Sequence, residues 1–158
     1  MIRFIAAMDS KGGLANNHGI PWQGKLPTDV AFFRSKTTNN IVLMGHETYD
    51  EFKQPLSKRR NLVASRNLKS VRPGFEVIHD ARKFLSQTKE EVWNIGGAGL
   101  FAATLDLADE LYITQLGQDF NCTKFFPEFK DKFEKVSETQ PQTENGITFT
   151  FQVWRPKT

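Results

Sequence analysis

The sequence predicts an α/β fold: one domain with a central, mostly parallel sheet, an antiparallel C-terminal hairpin at its edge, and helices on both faces. Two observations carry this prediction. Short apolar runs alternate with helical segments as far as Leu116, which is typical of parallel sheets covered on both sides. Beyond it, two strand-like runs flank Asn145-Gly146, a dipeptide that favours a hairpin turn. The 158 residues suffice for one domain, residues 1–158, with a sizeable core.

Each predicted strand is a short apolar run, and each predicted helix follows a Pro, Gly or Asp start signal. The predicted strands are 2–8, 41–44, 62–64, 75–78, 92–95, 111–116, 133–140 and 147–155. The predicted helices are 27–36, 46–52, 81–87 and 100–105, with Asp80 as the N-cap of the third. Residues 9–25 are predicted as irregular, because four glycines and Pro21 interrupt them. A loop of that length in a compact domain is usually functional.

Composition argues against several classes of function. The 21 basic and 18 acidic side chains give a net charge of +3, too small and too scattered to indicate a nucleic-acid partner. No apolar run has the length of a membrane span or of a signal peptide's core, so we expect no membrane partner. Cys122 is the only cysteine, which favours the cytoplasm and an inert thiol. We expect a monomer without a metal site.

Asp29 is the leading candidate for a functional acid. It lies in the first turn of the predicted helix 27–36 and shares a face with Phe32 and Phe33. A carboxylate in a first turn ordinarily faces water. At the edge of a buried aromatic face, however, it is desolvated, so its pKa rises and it requires donors. Such an acid suits proton management or a paired contact with the amidine edge of a planar ligand.

The run Gly19-Ile20-Pro21-Trp22, followed by Leu26-Pro27-Thr28-Asp29 and Phe33, resembles the substrate loop and helix of bacterial-type dihydrofolate reductases. Further resemblances follow in the order of that family along nearly the whole chain. They are Leu43-Met44-Gly45 with Thr48-Tyr49, Pro55-Leu56 with Arg59 and Asn61, Ser65-Arg66, Ile95-Gly96-Gly97-Ala98, Asp109 to Thr114, and Phe126-Pro127.

The resemblance implies NADPH as cofactor, dihydrofolate as the small-molecule substrate, and three groups of residues. The implied catalytic residues are Asp29, Trp22 and Thr114, with Thr114 beside Asp29. The implied substrate-binding residues are Ile5, Ala6, Asp29, Phe33, Phe52, Leu56, Arg59 and Thr114. The implied cofactor-binding residues are Ala7, Leu14, Ile20, Gly45, His46, Thr48, Ser65, Arg66, Ile95, Gly96, Gly97, Ala98, Gly99, Leu100 and Phe101.

Several of these roles have a physical rationale. A planar guanidinium at Arg59 suits the α-carboxylate of the folate glutamate, and Ser65-Arg66 suits the 2′-phosphate of NADPH. The glycines at 96–97 let the backbone approach an anion, and in the family this peptide bond is cis. Without the resemblance, Lys58-Arg59-Arg60 is an ordinary solvated turn, the glycine pair is a plain strand-to-helix turn, and Thr114 is a common type of strand residue.

Two departures from the family pattern affect the expected site. His46 stands where Arg or Lys is more common, and the neighbouring Glu47 adds a negative charge that weakens the expected anion site. The interpretation of His46 as a solvent-facing helix residue stays open. Residues 23–25 separate Trp22 from Leu26, where many bacterial members have one residue, so loop closure over the cofactor is expected to differ.

The resemblance predicts NADPH-dependent reduction of 7,8-dihydrofolate to 5,6,7,8-tetrahydrofolate, with hydride transfer to C6 and protonation at N5. A pyrimidine reductase of riboflavin synthesis, which has the same fold, is an alternative, but that class lacks the Pro-Trp and Leu-Pro-x-Asp motifs seen at Trp22 and Asp29. A non-catalytic folate- or nucleotide-binding module is the other alternative, and turnover of NADPH distinguishes it.

Overall fold

A computed structural model describes all residues, 1–158, and contains a nine-stranded sheet and a separate two-stranded ribbon. The strands are β1 (Ile2–Met8), β2 (Gly13–Ala15), β3 (Ile41–Gly45), β4 (Arg60–Ala64), β5 (Phe75–Ile78), β6 (Val92–Asn94), β7 (Glu110–Leu116), β8 (Lys124–Phe125), β9 (Phe133–Glu138), β10 (Gln142–Glu144) and β11 (Ile147–Pro156). The helices are α1 (Pro27–Thr37), α2 (His46–Glu51), α3 (Ala81–Gln87) and α4 (Ala98–Thr104), and a 3₁₀ turn follows at Leu105–Leu107. None of these helices is long and apolar enough to span a membrane.

The large sheet has the order β5-β4-β3-β6-β1-β7-β11, and β9 and β10 both pair with β11. All neighbours from β5 to β7 are parallel, whereas β11 is antiparallel to β7, β9 and β10. The predicted fold class is therefore confirmed. Because six strands run in parallel, their carboxyl ends meet at one edge of the sheet.

Alternating side chains of the central strands build a separate core on each face of the sheet. Phe4 and Leu43 point to one core, which α3 and α4 complete with Leu85 and Phe101. The other core contains the adjacent strand residues, Ile5 with Val42 and Met44, and is completed from α1 and α2 by Phe32, Phe33 and Tyr49. The helices therefore cover both faces, as the continuous apolar runs predict.

A cleft opens where β1 and β6 separate. β6 pairs with β1 only as far as Phe4 and Asn94, although β1 continues to Met8 along β7. After Asn94 the chain stays with β3, because Ile95 N–H donates to the Leu43 carbonyl at 2.9 Å. The carboxyl-terminal half of β1 therefore faces the Gly96–Gly97 turn across a gap between parallel strands.

Two segments differ from the sequence prediction. Residues 9–25 are not wholly irregular, because β2 pairs with β8, more than a hundred residues away, and local sequence carries no signal for such pairing. The predicted strand 133–140 ends at Glu138, as β9, and the short strand β10, Gln142–Glu144, was not predicted. Pro141 lies between them and lacks the N–H that a continuous ladder needs. The predicted Asn145-Gly146 turn then joins β10 to β11, with both residues at positive φ.

Candidate active site

Asp29 and Thr114 meet at the side of the cleft formed by α1 and β7. The Thr114 hydroxyl donates to Asp29 Oδ1 at 2.6 Å, and Thr114 is only 2% exposed. Burial raises the pKa of the Asp29 carboxyl, and the hydrogen bond from Thr114 opposes this only in part, while the negative charge of Glu144 raises the pKa further. The acid is therefore partly desolvated and held by a single neutral donor.

Apart from Ala6, the predicted apolar residues of the substrate pocket lie on one face of the sheet. Ile5 is buried in the core beneath α1, and Phe33, Phe52, Leu56 and Ile95 pack against that core while remaining partly exposed. On α1, the neighbouring Phe32 ring stacks on Phe151 with centroids 4.1 Å apart and fixes the helix on β11. The wall next to Asp29 therefore exists before any ligand binds.

Arg59 lies at the far end of this wall and is held by the protein. Its Nε donates to the Ser57 carbonyl and its Nη1 donates to Thr37 Oγ1, both at 2.9 Å. Burial and, secondarily, the charge of Arg34 lower the pKa of the guanidinium. Nη2 has no protein partner, so a fixed cation keeps donors available for an anion.

Trp22 lies in the core, although the segment that carries it was predicted as an irregular loop. Its side chain is 5% exposed, packs with Leu26 and Phe149, and lies 5.2 Å from the Phe120 ring. Ala7 packs against the same cluster. Trp22 makes no hydrogen bond with Asp29, so its visible contribution is to anchor the loop before α1.

Asp9 links the segment after β1 to the segment after β7, and the sequence analysis did not predict this contact. Its buried carboxylate accepts hydrogen bonds from the N–H groups of Lys11, Gly13 and Phe120, at 2.7 to 2.9 Å. Burial acts to raise the pKa of Asp9, but these donors outweigh it and lower the pKa. Burial, together with the charge of Asp9, raises the pKa of the Cys122 thiol to about 11, which agrees with the expected inert thiol.

The glycine turn on the other side of the cleft has the geometry implied by the resemblance. The Gly96–Gly97 peptide bond is cis, and Gly45 N–H donates to the Gly96 carbonyl at 2.7 Å. Gly96 has φ of +89°, and a Cβ there would approach the Phe101 ring to 2.6 Å, so a side chain does not fit. A Cβ on Gly97 would lie 3.8 Å from Thr48 Oγ1, so the turn lies close to α2 as well as to the end of β3.

The other predicted cofactor residues have different environments. Phe101 is fully buried against Phe4 and Phe126, so it supports the turn from beneath and offers no open surface. Leu14 and Leu100 pack against the same core while remaining partly exposed, as does Ala6, which was predicted as a substrate residue but lies on the opposite face of β1 from Ile5. Ala98 and Gly99 begin α4, and Ile20, in the loop, is 40% exposed.

The charges at the start of α2 are paired. His46 Nε2 lies 3.5 Å from Asp50 Oδ1, and Lys124 Nζ lies 3.5 Å from Glu47 Oε2. A lysine from β8 therefore lies beside Glu47, the residue expected to weaken the anion site, and partly compensates its charge. Sequence spacing could not reveal this pair, because β8 is remote in the chain.

Ser65 and Arg66 lie at the carboxyl end of β4, beside a groove of about 440 Å³. Ser65 Oγ accepts hydrogen bonds from the N–H groups of Asn67 and Leu68, while the Ser65 carbonyl lies 3.0 Å from His79 Nδ1. His79 and Arg82 also line the groove and were missed from the sequence. His79 directly follows β5. Its position at the carboxyl end of a parallel strand could have indicated that it lies near Ser65, which follows β4.

Asp29 lies beside one cleft, and a groove lined by Ser65 and the exposed Arg66 lies at the carboxyl ends of the same parallel strands. This arrangement defines an α/β protein that binds ligands at the carboxyl ends of its strands. Comparisons with known proteins identify the family more closely.

The sequence profile of the family described as dihydrofolate reductase matches residues 1–156. Dihydrofolate reductase of Bacillus subtilis is 31% identical over 99% of this chain and 95% of that protein. The Haemophilus influenzae enzyme is 33% identical over 85% of this chain and 88% of its own length. A solved structure of dihydrofolate reductase from Enterococcus faecalis, complexed with NADP(H) and RAB-propyl, is 26% identical. It matches with a TM-score of 0.89 over 100% of this chain and 97% of that one.

The chain belongs to the dihydrofolate reductase family. Family membership confirms the predicted enzyme class, an NADPH-dependent oxidoreductase that reduces dihydrofolate, and confirms the predicted cofactor. The residues of this chain also fit that cofactor, because a turn built of glycines leaves room for a pyrophosphate and a groove with the exposed Arg66 suits a phosphorylated ribose.

Proposed function

We propose that the chain catalyses reduction of 7,8-dihydrofolate to 5,6,7,8-tetrahydrofolate in the cleft between β1 and the Gly96–Gly97 turn. NADPH, when bound, supplies the hydride that goes to C6 of the pteridine. The observation that carries the proposal is the partly buried Asp29, bound by Thr114 at 2.6 Å and facing the aromatic wall.

Asp29 binds the 2-amino and N3 edge of the pteridine and favours protonation at N5. Its Oδ1 accepts from Thr114, so Oδ2 stays available for the ligand. Thr114 uses its hydroxyl proton on Asp29 and keeps its oxygen lone pairs, which suits ordering of a pteridine donor and a water. A carboxylate on that edge is too far from N5 for direct transfer, so water delivers the proton. Trp22 serves this site by anchoring the loop.

The remaining substrate residues orient the ligand and keep water out. Ile5, Ala6, Phe33, Phe52 and Leu56 contact the pteridine and benzoyl rings, and Arg59 binds the α-carboxylate of the glutamate. A site that fixes the two reacting rings in one geometry supplies much of the rate acceleration through proximity.

The dinucleotide lies along the carboxyl ends of the parallel strands. Residues around the nicotinamide and pyrophosphate are Ala7, Leu14, Ile20, Gly45, His46, Thr48 and Ile95 to Leu100, and Phe101 supports the glycine turn from beneath. Ser65 and Arg66 bind the 2′-phosphate, with His79 at the same groove. We further propose that the protein acts as a monomer in the cytoplasm without a nucleic-acid partner, consistent with its single buried cysteine and scattered charges.

The direct test measures loss of NADPH absorbance with dihydrofolate as the acceptor. Dihydrofolate-dependent oxidation of NADPH, absent in Asp29→Asn, supports the proposal. Binding of both ligands without turnover would instead indicate a binding module. Turnover with a ribosylated pyrimidine phosphate but not with dihydrofolate would indicate the related reductase of riboflavin synthesis.

A further inference from the structure

The helix that carries Asp29 receives its cap from another element. Leu26 occupies the N-cap position without a side-chain hydrogen bond, and Pro27 at the first helical position has no N–H. The next N–H, on Thr28, donates to Glu144 Oε1 at 3.1 Å, and the Thr28 hydroxyl donates to Glu144 Oε2. Glu144, on β10, therefore satisfies a free donor at the start of α1.

The hairpin that carries Glu144 is itself fixed against this region. Asn145 Nδ2 donates to the Lys25 carbonyl at 2.7 Å, immediately before α1, and β10 pairs with β11 up to Glu144 and Ile147. One turn further along the helix, Phe32 stacks on Phe151 of β11. Contacts with the hairpin therefore precede and follow Asp29 in the chain.

We propose that Glu144 is a positioning residue for the reduction, whose carboxylate fixes the first turn of α1 and holds a negative charge at Thr28, the chain neighbour of Asp29. The proposal rests on the proposed function for its link to catalysis. The contact between Glu144 and Thr28, and its electrostatic effect on Asp29, do not depend on which substrate is used.

The surroundings of Asp29 leave Glu144 as the charged group that acts on it. β7 contributes the neutral Thr114 hydroxyl and β1 contributes Ile5, while α1 contributes aromatic rings and has its cations, Arg34 and Lys36, in its last turn. After burial, the negative charge of Glu144 is the cause that raises the pKa of Asp29. The same negative charge also stabilises a proton on a pteridine bound in the cleft. Glu144 therefore favours protonation of both Asp29 and the pteridine.

The test compares wild type, Glu144→Gln and Glu138→Gln. Glutamine keeps a carbonyl that can accept from Thr28 N–H but removes the charge. Glu138 is the matched control, because it lies at the end of β9 and bonds Lys135, Thr150 and Gln152. The Asp29 carboxyl is titrated by ¹³C NMR in the ligand-free protein, with its signal assigned by its loss in Asp29→Asn. Single-turnover hydride transfer is then measured against pH.

We expect Glu144→Gln to shift the Asp29 titration to lower pH and to slow hydride transfer about two- to threefold on the alkaline side, a size suited to one partly screened charge. Glu138→Gln should match wild type in both measurements. Unchanged titration in folded Glu144→Gln, or an equal shift in Glu138→Gln, overturns the proposal.

Glu144→Asp gives the reverse test, because it keeps the charge but shortens its reach to Thr28. We expect its thermal unfolding midpoint to fall while the Asp29 titration stays near that of wild type. A shift as large as that of Glu144→Gln would contradict the electrostatic role. If wild type does not reduce dihydrofolate, the proposed function fails, yet the ligand-free titration still decides whether Glu144 acts on Asp29.

Discussion

The two sides of the cleft differ in how their polar groups are held. On the substrate side, Asp29 and Arg59 are partly buried and each is bound by a threonine hydroxyl, from Thr114 and Thr37. On the cofactor side, Arg66 is exposed and His46 faces the exposed Asp50. Water and salt screen exposed charges much more than buried ones. We therefore expect substitutions on the substrate side to have the larger effects.

The largest effect is expected for Asp29→Asn. Asparagine can still accept from Thr114 but cannot hold the charge that favours N5 protonation, so turnover at neutral pH should fall ~10²–10⁴-fold. Steady-state assays of the folded variant measure this. Undiminished turnover would falsify the assignment of Asp29 and remove the main difference between the two sides.

The same variant should be more stable than wild type at neutral pH. Because the pKa of Asp29 is raised in the folded state, the folded protein holds its proton to higher pH than the unfolded chain does. The free energy of unfolding therefore falls as pH rises above the usual carboxyl pKa, and Asn removes that loss. Urea unfolding of both proteins should show a gap that widens from acidic to neutral pH. A constant gap would contradict the desolvation of Asp29.

Arg59→Ala is expected to have the next largest effect. A charge-assisted contact with the glutamate carboxylate is worth roughly 1.5–3 kcal/mol, so KM for dihydrofolate should rise about ten- to a hundredfold. KM for NADPH should change little. Arg60→Ala is the matched control, because Arg60 is exposed and its guanidinium is already bound by Glu76. Equal loss of affinity for a pteridine without the glutamate would assign Arg59 another role.

Arg66→Ala should have a smaller effect, confined to the cofactor. Arg66 is exposed, so we expect about tenfold weaker NADPH binding, at the low end for a charge-assisted contact. Fluorescence titration with NADPH and NADH measures both affinities, and the NADH affinity should not change. Equal weakening of both would place Arg66 away from the 2′-phosphate.

The smallest effect is expected at His46. Its ring nitrogen lies 3.5 Å from Asp50 Oδ1, so the imidazole is shared between that carboxylate and any nearby phosphate. We expect His46→Gln to weaken NADPH binding about twofold. Fluorescence titration with NADPH measures this. Equal affinities of the two proteins would place His46 in solvent.

The sequence predicts the features that depend on local pattern. The apolar runs indicate the parallel sheet, Asn145-Gly146 indicates the hairpin, and the position of an acid among aromatic residues singles out Asp29. Resemblance to the family adds the cis peptide bond at Gly96–Gly97. These features depend on short segments whose residues are adjacent or one helical turn apart.

The contacts that the sequence does not predict join distant segments. Glu144 caps a helix from 116 residues away, and Lys124 lies beside Glu47 across 77 residues. Asp9 has the sequence context of a loop acid, although it is fully buried among backbone donors. Only the folded arrangement brings such pairs together, because neither partner carries a local signal for the other.

The most direct test of the account is the pH dependence of single-turnover hydride transfer in wild type and Asp29→Asn. N5 must gain a proton, so the wild-type rate should fall as pH rises, and the charge of Asp29 should hold the midpoint of that fall at higher pH by stabilising the proton on N5. In Asp29→Asn the rate should be lower throughout, and its fall should move to lower pH. Equal rates with the same midpoint in both proteins would contradict the central role of Asp29.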